Sequence, residues 1–313
     1  MAETEQLRTK LTIALVFDFD DTLFPDSTAQ LFYERANVNR EQFRKEIDKR
    51  VYRDGQDHVF GFLNYVLDEV ARDGSPLKGL KNSDLEDFGR TQLAEPFEGI
   101  HETFKYLRDL VKDSAITRSI HYGQLTDEHT YYPKVEFYVV SGGLEPLVKA
   151  GLARHGLGDF FEDRVVACQL DDGPNGLARI RRAVSFTEKT RYLYEINKGF
   201  FGDRDPTKVN EWVDPASRPV PFHNMIYVGD GLTDIPCFSM LEKFGGTPIA
   251  VVPPEAKVGE KYQRFVVERG MNFFERADYR MRVKGSLGAL LVKLVEQRLL
   301  DMTVRIQFLA ASP

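Results

Sequence analysis

Four short, nearly all-apolar runs of β-favouring residues punctuate this chain, and each stops at a small, acidic or proline residue. They cover 13–17 before Asp18, 135–140 before Ser141, 225–228 before Gly229-Asp230, and 249–252 before Pro253-Pro254. Runs that are apolar throughout, rather than alternating, predict strands buried on both faces in the middle of a parallel sheet. Apolar residues recur at helical spacing over 97–111 and 144–154, and 187–197 predicts a helix stopped by Lys198-Gly199. A terminal amphipathic helix is predicted over 285–300. Strands alternating with helices imply a doubly wound α/β fold whose ligands sit beyond the carboxyl ends of the strands. The polar residues that end the runs lie at those ends.

Between residue 26 and about 94 the pattern changes. Asn39 with Gln42, and Ser83 with Glu86, have the spacing of capping boxes that open helices. Val59, Phe60, Phe62, Leu63, Val66, Leu67 and Val70 form a broad helical stripe, and no strand-like run interrupts the region. It reads as a small all-helical insertion. The segments 113–133 and 199–222 are polar and read as irregular loops.

Composition narrows the class. A net charge of −6 carries no basic stripe of the kind a general nucleic-acid binder shows. Two cysteines, Cys168 and Cys237, make no disulfide framework and predict a reducing, cytoplasmic setting. The charged start MAETEQLRTK, followed by an apolar stretch cut short by acids, reads as neither a signal peptide nor a membrane span. The six histidines are scattered and none is assigned to a metal.

The densest chemistry is Asp18-Phe19-Asp20-Asp21-Thr22-Leu23, directly after a buried strand. At ~4 Å and an effective dielectric of ~20, each pair of like charges there costs about 4 kcal/mol. A divalent cation relieves that cost, and hard oxygen donors favour Mg2+. One carboxylate can then act as nucleophile and another, two residues on, as general acid and base; an aspartate-rich turn is the other reading. Ser141-Gly142-Gly143 offers a hydroxyl and unencumbered N–H groups to an anion, and is equally an ordinary strand-to-helix turn. Lys189 stands near a helix start, where the helix dipole disfavours a cation, so a phosphate or carboxylate partner is implied; Arg191, Arg181 and Arg182 are its competitors. In Gly229-Asp230-Gly231-Leu232-Thr233-Asp234, Asp230 can complete a metal site, Asp234 can cap the next helix, and Pro236 suits its first turn.

Taken together, DxDxT, strand-Ser, Lys and strand-GDxxxD resemble the four-part signature of the haloacid dehalogenase superfamily, over 13 to about 252. That resemblance implies a Rossmann-like three-layer core from 1–26 and 95–313, with a helical cap domain over 27–94. It implies Asp18 as nucleophile, Asp20 as acid and base, and Thr22, Ser141, Gly142 and Lys189 as phosphate-binding groups. Mg2+ would be held by Asp18, Asp20 (through its carbonyl) and Asp230, with Asp234 beside them. Because Asp20 is present, phosphate-ester hydrolysis is implied rather than carbon–halogen cleavage. The insertion and the SGG and GDGLTD motifs look most like the phosphoserine phosphatase branch. Thr233 replaces that branch's usual asparagine, and Ser27 its substrate-gripping glutamate.

The expected activity is therefore Mg2+-dependent hydrolysis of a small phosphorylated metabolite through a phosphoaspartate, without nucleic acid or membrane; the oligomeric state is left open. A phosphotransferase and a non-catalytic phosphate-ligand binding protein are the alternatives. No GxxxxGK[ST] and no GxGxxG occur, and a receiver domain would place its motifs in another order. Within the cap, Phe60, Leu63 and Leu67 are expected in its own core, and Asp26, Arg50 and Arg53 are candidates for reading the leaving group.

Overall fold

A computed structural model describes residues 11–25, 27–114, 116–122 and 125–309. Strand β1 (Thr12–Phe17) leads into helices α1 (Ser27–Arg35), α2 (Arg40–Tyr52), α3 (His58–Ala71), α4 (Asn82–Thr91) and α5 (Ile100–Asp113). An antiparallel pair follows, β2 (Ile116–Tyr122) and β3 (Leu125–Tyr131). Then come β4 (Lys134–Leu144), α6 (Glu145–Arg154), α7 (Gly158–Phe161), β5 (Val165–Gly173), β6 (Gly176–Arg182) and α8 (Phe186–Lys198). The chain ends with β7 (Met225–Gly229), α9 (Ile235–Lys243), β8 (Thr247–Val252), α10 (Gly259–Tyr262), β9 (Phe274–Arg276) and α11 (Leu287–Leu309).

The central sheet has seven strands in the order β6-β5-β4-β1-β7-β8-β9. All its pairings are parallel except β5 with β6. Every residue of β1, β7 and β8 is buried, as their continuous apolar runs demand when helices cover both faces. Helix α5 buries Ile100, Phe104, Leu107 and Val111, and Phe104 packs against Phe17 and Phe137 with ring centroids 5.1 and 4.6 Å apart. Helices α8 and α9 pack together, and α11 lies on α5. Because β1 sits between β4 and β7, the chain leaves it in both directions, which makes its carboxyl end the switch point of the sheet.

The four apolar runs are β1, β4, β7 and β8. The capping box of Asn39 with Gln42 opens α2, and Gly199 (φ +81°) closes α8 in the left-handed conformation. Other expectations change. Helix α4 opens two residues earlier than Ser83 and Glu86 suggest: the Asp84 carboxylate accepts from the Lys81 N–H at 2.8 Å. The segment 113–133 is not irregular but holds β2 and β3, and 199–222 contains two short 3₁₀ turns, Pro206–Asn210 and Pro215–Ser217.

Between β1 and α5 the described residues form only helices. Phe43 of α2 meets Phe62 and Tyr65 of α3 edge-on, while Phe60 faces outward at 41% exposure and is not part of that core. Helix α4 packs instead on α6, where Gly89 lies against the Leu147 carbonyl too closely for any side chain. The Asn82 side-chain amide donates to the Leu170 carbonyl of β5 at 2.9 Å. Asp26 lies outside the described residues.

Candidate active site

Strand register assembles the site. Phe17 is paired with Val139 of β4 and Val228 of β7, so the next residue of each strand reaches the same level. Asp18 continues the ladder by one step, its N–H donating to the Val228 carbonyl at 2.9 Å. Asp18 thus emerges level with Val140 and Gly229, one residue before Ser141 and Asp230.

Lys189 reaches this point from α8. It shares the buried face of that helix with Tyr192, Leu193 and Ile196, a spacing of three, four and seven residues. A lysine on an apolar face needs compensation, and here it is complete. Its ammonium, 0% exposed, donates to Asp18 Oδ2 and to Asp234 Oδ1, each at 2.7 Å. Asp234 is also fully buried; it accepts from the Tyr227 hydroxyl at 2.7 Å and from the Gly231 N–H at 2.9 Å. Asp18 Oδ1 accepts from the Phe19 N–H at 2.7 Å.

The electrostatics follow from this packing. Burial pushes the Asp18 carboxyl above the usual carboxylate range; Lys189 pulls against that, while Asp234 and Asp230 add to it. Burial alone would lower Lys189, but the two carboxylates outweigh it and hold the ammonium well above the ordinary lysine value. Burial pushes Asp230, whose side chain is 16% exposed, up to about 7 against the pull of Lys261, and Asp234 adds to the rise. Lys261 donates to Asp230 Oδ2 at 2.6 Å and to its carbonyl at 2.8 Å. Oxygens of Asp18, Asp230 and Asp234 lie within 4.8 Å of one another, an all-oxygen donor group that suits a hard dication.

Beyond Asp18 the chain turns sharply. Asp21 takes φ +53°, a left-handed conformation tolerated by few residues other than glycine, and its N–H donates to the Phe24 carbonyl at 2.7 Å. Past this turn, Asp20 Oδ1 accepts from the Thr28 N–H at 2.7 Å. Thr22 is buried with no partner for its hydroxyl among the described residues, while its carbonyl accepts from the Tyr279 hydroxyl at 2.8 Å. Ser141 is buried and its Oγ accepts from the Gly143 N–H at 2.9 Å. Gly142 lies under Val59 of α3.

The sequence-predicted Asp18, Lys189, Asp230 and Asp234 therefore converge, with Asp20, Ser141 and Gly142 around them. Thr28, Tyr227, Tyr279 and Lys261 were not anticipated. Tyr227 hides inside an apolar run, where only its hydroxyl betrays a polar task.

A family model described as haloacid dehalogenase-like hydrolase matches residues 15–239. The chain belongs to the haloacid dehalogenase-like hydrolases. The match begins inside β1 and ends inside α9, so it spans every acid of the site. An uncharacterised protein of Borreliella burgdorferi is 26% identical over 250 residues, covering 73% of this chain and 78% of that protein. Two solved structures share the fold. A substrate-bound phosphoserine phosphatase complex aligns with a TM-score of 0.51 at 19% identity, over 90% of this chain and 98% of that one. A phospho-aspartyl intermediate analogue of phosphoserine phosphatase aligns with the same TM-score at 20% identity and the same coverage. As a haloacid dehalogenase-like hydrolase, the chain carries its four motifs on the strand ends and helix start that the fold brings together.

Proposed function

We propose that this hydrolase is a Mg2+-dependent phosphatase that cleaves a small phosphate monoester through a phosphoaspartate on Asp18. One observation carries the reading. A buried carboxylate at the switch point is fixed by a lysine shared with Asp234, and a second carboxylate, Asp20, is held separately two residues on. That division supplies a nucleophile and a proton carrier that do not compete for the same partner. The likeness to phosphoserine phosphatase structures supports it.

The donor set fits Mg2+: Asp18 and Asp230 would hold the ion with the Asp20 carbonyl, and Asp234 would stand behind, engaged with Lys189 and Tyr227. When bound, the ion supplies positive charge against the transferring group and keeps both carboxylates ionised. In the first half-reaction, an Asp18 oxygen bonds to phosphorus as the P–O bond of the ester breaks, and Asp20 gives its proton to the departing oxygen. In the second, Asp20 takes a proton from water; the oxygen bonds to phosphorus and the phosphoaspartate bond breaks, releasing phosphate. Lys189 stays cationic throughout and offsets charge on the phosphoryl group together with Ser141 and the Gly142 N–H.

The helical segment 27–94 would act as the cap. Val59 lies over Gly142, the Ser185 hydroxyl donates to Asp57 at 2.6 Å, and Arg40 pairs with Asp21 at 3.4 Å. Arg50 pairs with Asp68 at 2.8 Å and Arg53 with Asp54 at 2.7 Å, both in exposed ion pairs that a ligand could exchange. Among the described residues no helix is long and apolar enough to cross a membrane, and both cysteines are free and buried. A cytoplasmic setting and a small phosphorylated metabolite as substrate accord with this.

The test is release of inorganic phosphate from a panel of phosphomonoesters with Mg2+ and with excess chelator. Turnover confined to the Mg2+ arm supports the reading; no release from any ester, or equal release in chelator, overturns it.

A further inference from the structure

Two lysines reach the acids of the site, and they are held in different ways. Lys189 is fully buried and bridges Asp18 and Asp234. Lys261 goes to Asp230, donating to its Oδ2 at 2.6 Å and to its backbone carbonyl at 2.8 Å. Among the described residues no other side chain donates to Asp230. The Lys261 side chain is 34% exposed, so its ammonium keeps a route to water that Lys189 lacks.

Lys261 lies on α10, the single turn that follows β8, and β8 is the neighbour of β7 with its Asp230. Aromatic rings seat this segment. Tyr262 meets Phe274 of β9 at 5.7 Å, and Phe265, which is 1% exposed, meets Phe238 of α9 at 5.9 Å. The backbone is anchored, while the flexible four-carbon stem of the lysine can turn between Asp230 and solvent.

The charges of the site decide what that freedom is for. Asp18, Asp230 and Asp234 face two ammonium groups, which leaves one negative charge when all are ionised. A dication turns that sum to one positive charge, and on Asp230 it meets the Lys261 ammonium. Like charges that share one carboxylate repel, and Lys261, unlike Lys189, can withdraw to water.

We infer that Lys261 is the metal's stand-in: it holds Asp230 in the metal-free protein, yields that carboxylate when Mg2+ binds, and so sets a weaker Mg2+ affinity than the acids alone would give. The inference rests on the Mg2+-dependent reading of the site and adds the residue that governs how tightly the ion is kept.

Lys261→Met keeps the length of the side chain and removes its charge. Mg2+ is titrated calorimetrically at pH 8 into the full-length protein, freed of metal beforehand with chelator. The expected result is a Kd lowered about tenfold, within the usual range for two ligands coupled through one site. Lys293→Met removes an exposed charge from α11 and is the control, with a Kd expected within about twofold of wild type. At one fixed Mg2+ concentration, the rise in Tm over the metal-free protein should be larger in Lys261→Met than in wild type. An unchanged Kd in Lys261→Met overturns the inference. So does a raised one, which would make the lysine a support for the metal ligand rather than its rival. Equal tightening in Lys293→Met also overturns it, by assigning the effect to net charge. Failure of wild type and both variants to bind Mg2+ overturns the metal-dependent reading beneath it, a result distinct from these.

Discussion

The charges at the strand ends and the charges of the helical segment 27–91 obey different rules. Lys189 is fully buried and shared by two carboxylates of which neither is more than 9% exposed. The pairs of the helices lie in water: Lys45 with Glu41 at 67% and 75% exposure, Arg53 with Asp54 at 73% and 37%. Exposed pairs contribute roughly 0–1 kcal/mol, because water and salt already screen the ions. A buried cluster behaves otherwise, since removal of one partner strands the rest without solvent. Charge in the helices is solvated; charge at the strand ends is held in place by its buried partners. Substitutions in the two regions should therefore separate cleanly.

The largest effect belongs to Asp18→Asn. Turnover should fall by at least about three orders of magnitude, as nucleophile removals do. The metal-free fold should be as stable as before or more so, because a carboxyl disfavoured by burial is replaced by a neutral amide while Lys189 keeps Asp234 as its counter-ion. Steady-state assays with thermal melts check both; retention of roughly a tenth of the activity removes Asp18 from the mechanism.

Lys189→Met sets the two regions directly against each other. It leaves Asp18 and Asp234 buried without a counter-ion and should cost about 3–5 kcal/mol. Lys45→Met should stay within about 0.5 kcal/mol. Urea midpoints measure the pair, and equal losses would erase the distinction drawn between the regions.

Next comes pH. The folded, metal-free protein holds a proton on Asp230 up to about 7, against 3.8 for an ordinary aspartate. The folded state therefore binds more protons between those values, and metal-free stability falls as pH rises through that window. Mg2+ competes with the same proton, so its stabilising effect should grow from pH 5 to pH 7.5. Melting curves with and without Mg2+ across that range test this, and a shift that shrinks with rising pH contradicts it.

A smaller effect on the site is expected of Tyr279→Phe. Tyr279 lies beyond the matched region 15–239, yet its buried hydroxyl holds the Thr22 carbonyl of the nucleophile loop. Its loss leaves that carbonyl unsatisfied and should cost about 1–3 kcal/mol. The turn carrying Asp20 should loosen, so kcat should fall more than KM changes.

Much of this was legible because continuous apolar runs mark central strands, and the acids that follow them cannot be far from the site. Lys189 was legible for a related reason: a cation at a helix start, in step with Leu193 and Ile196, is anomalous unless something inside receives it. Strand β5 offers Val165 and Val166 in a run as apolar as the others, but it gives way to Gln169 and Asp171, so its pattern does not mark a central strand. Strands β2 and β3 lie in a segment whose polar composition masks β-branched residues at Ile116, Thr117 and Ile120. Thr28 left no signal in the sequence. The fold brings Gly143, more than a hundred residues away, against the first turn of α1. Tyr227 and Tyr279 are similar, since a tyrosine in an apolar setting looks like core until its hydroxyl is seen to have a task.

The central claim is a covalent phosphoaspartate on Asp18, and it can be read directly. Enzyme mixed with a hydrolysable phosphomonoester and Mg2+ is quenched in acid during turnover, digested, and its peptides weighed by mass spectrometry. The account predicts one phosphoryl group's mass on the peptide containing Asp18, lost on treatment with hydroxylamine and missing from Asp18→Asn. Steady turnover with no such adduct, or an adduct on any other side chain, would contradict it.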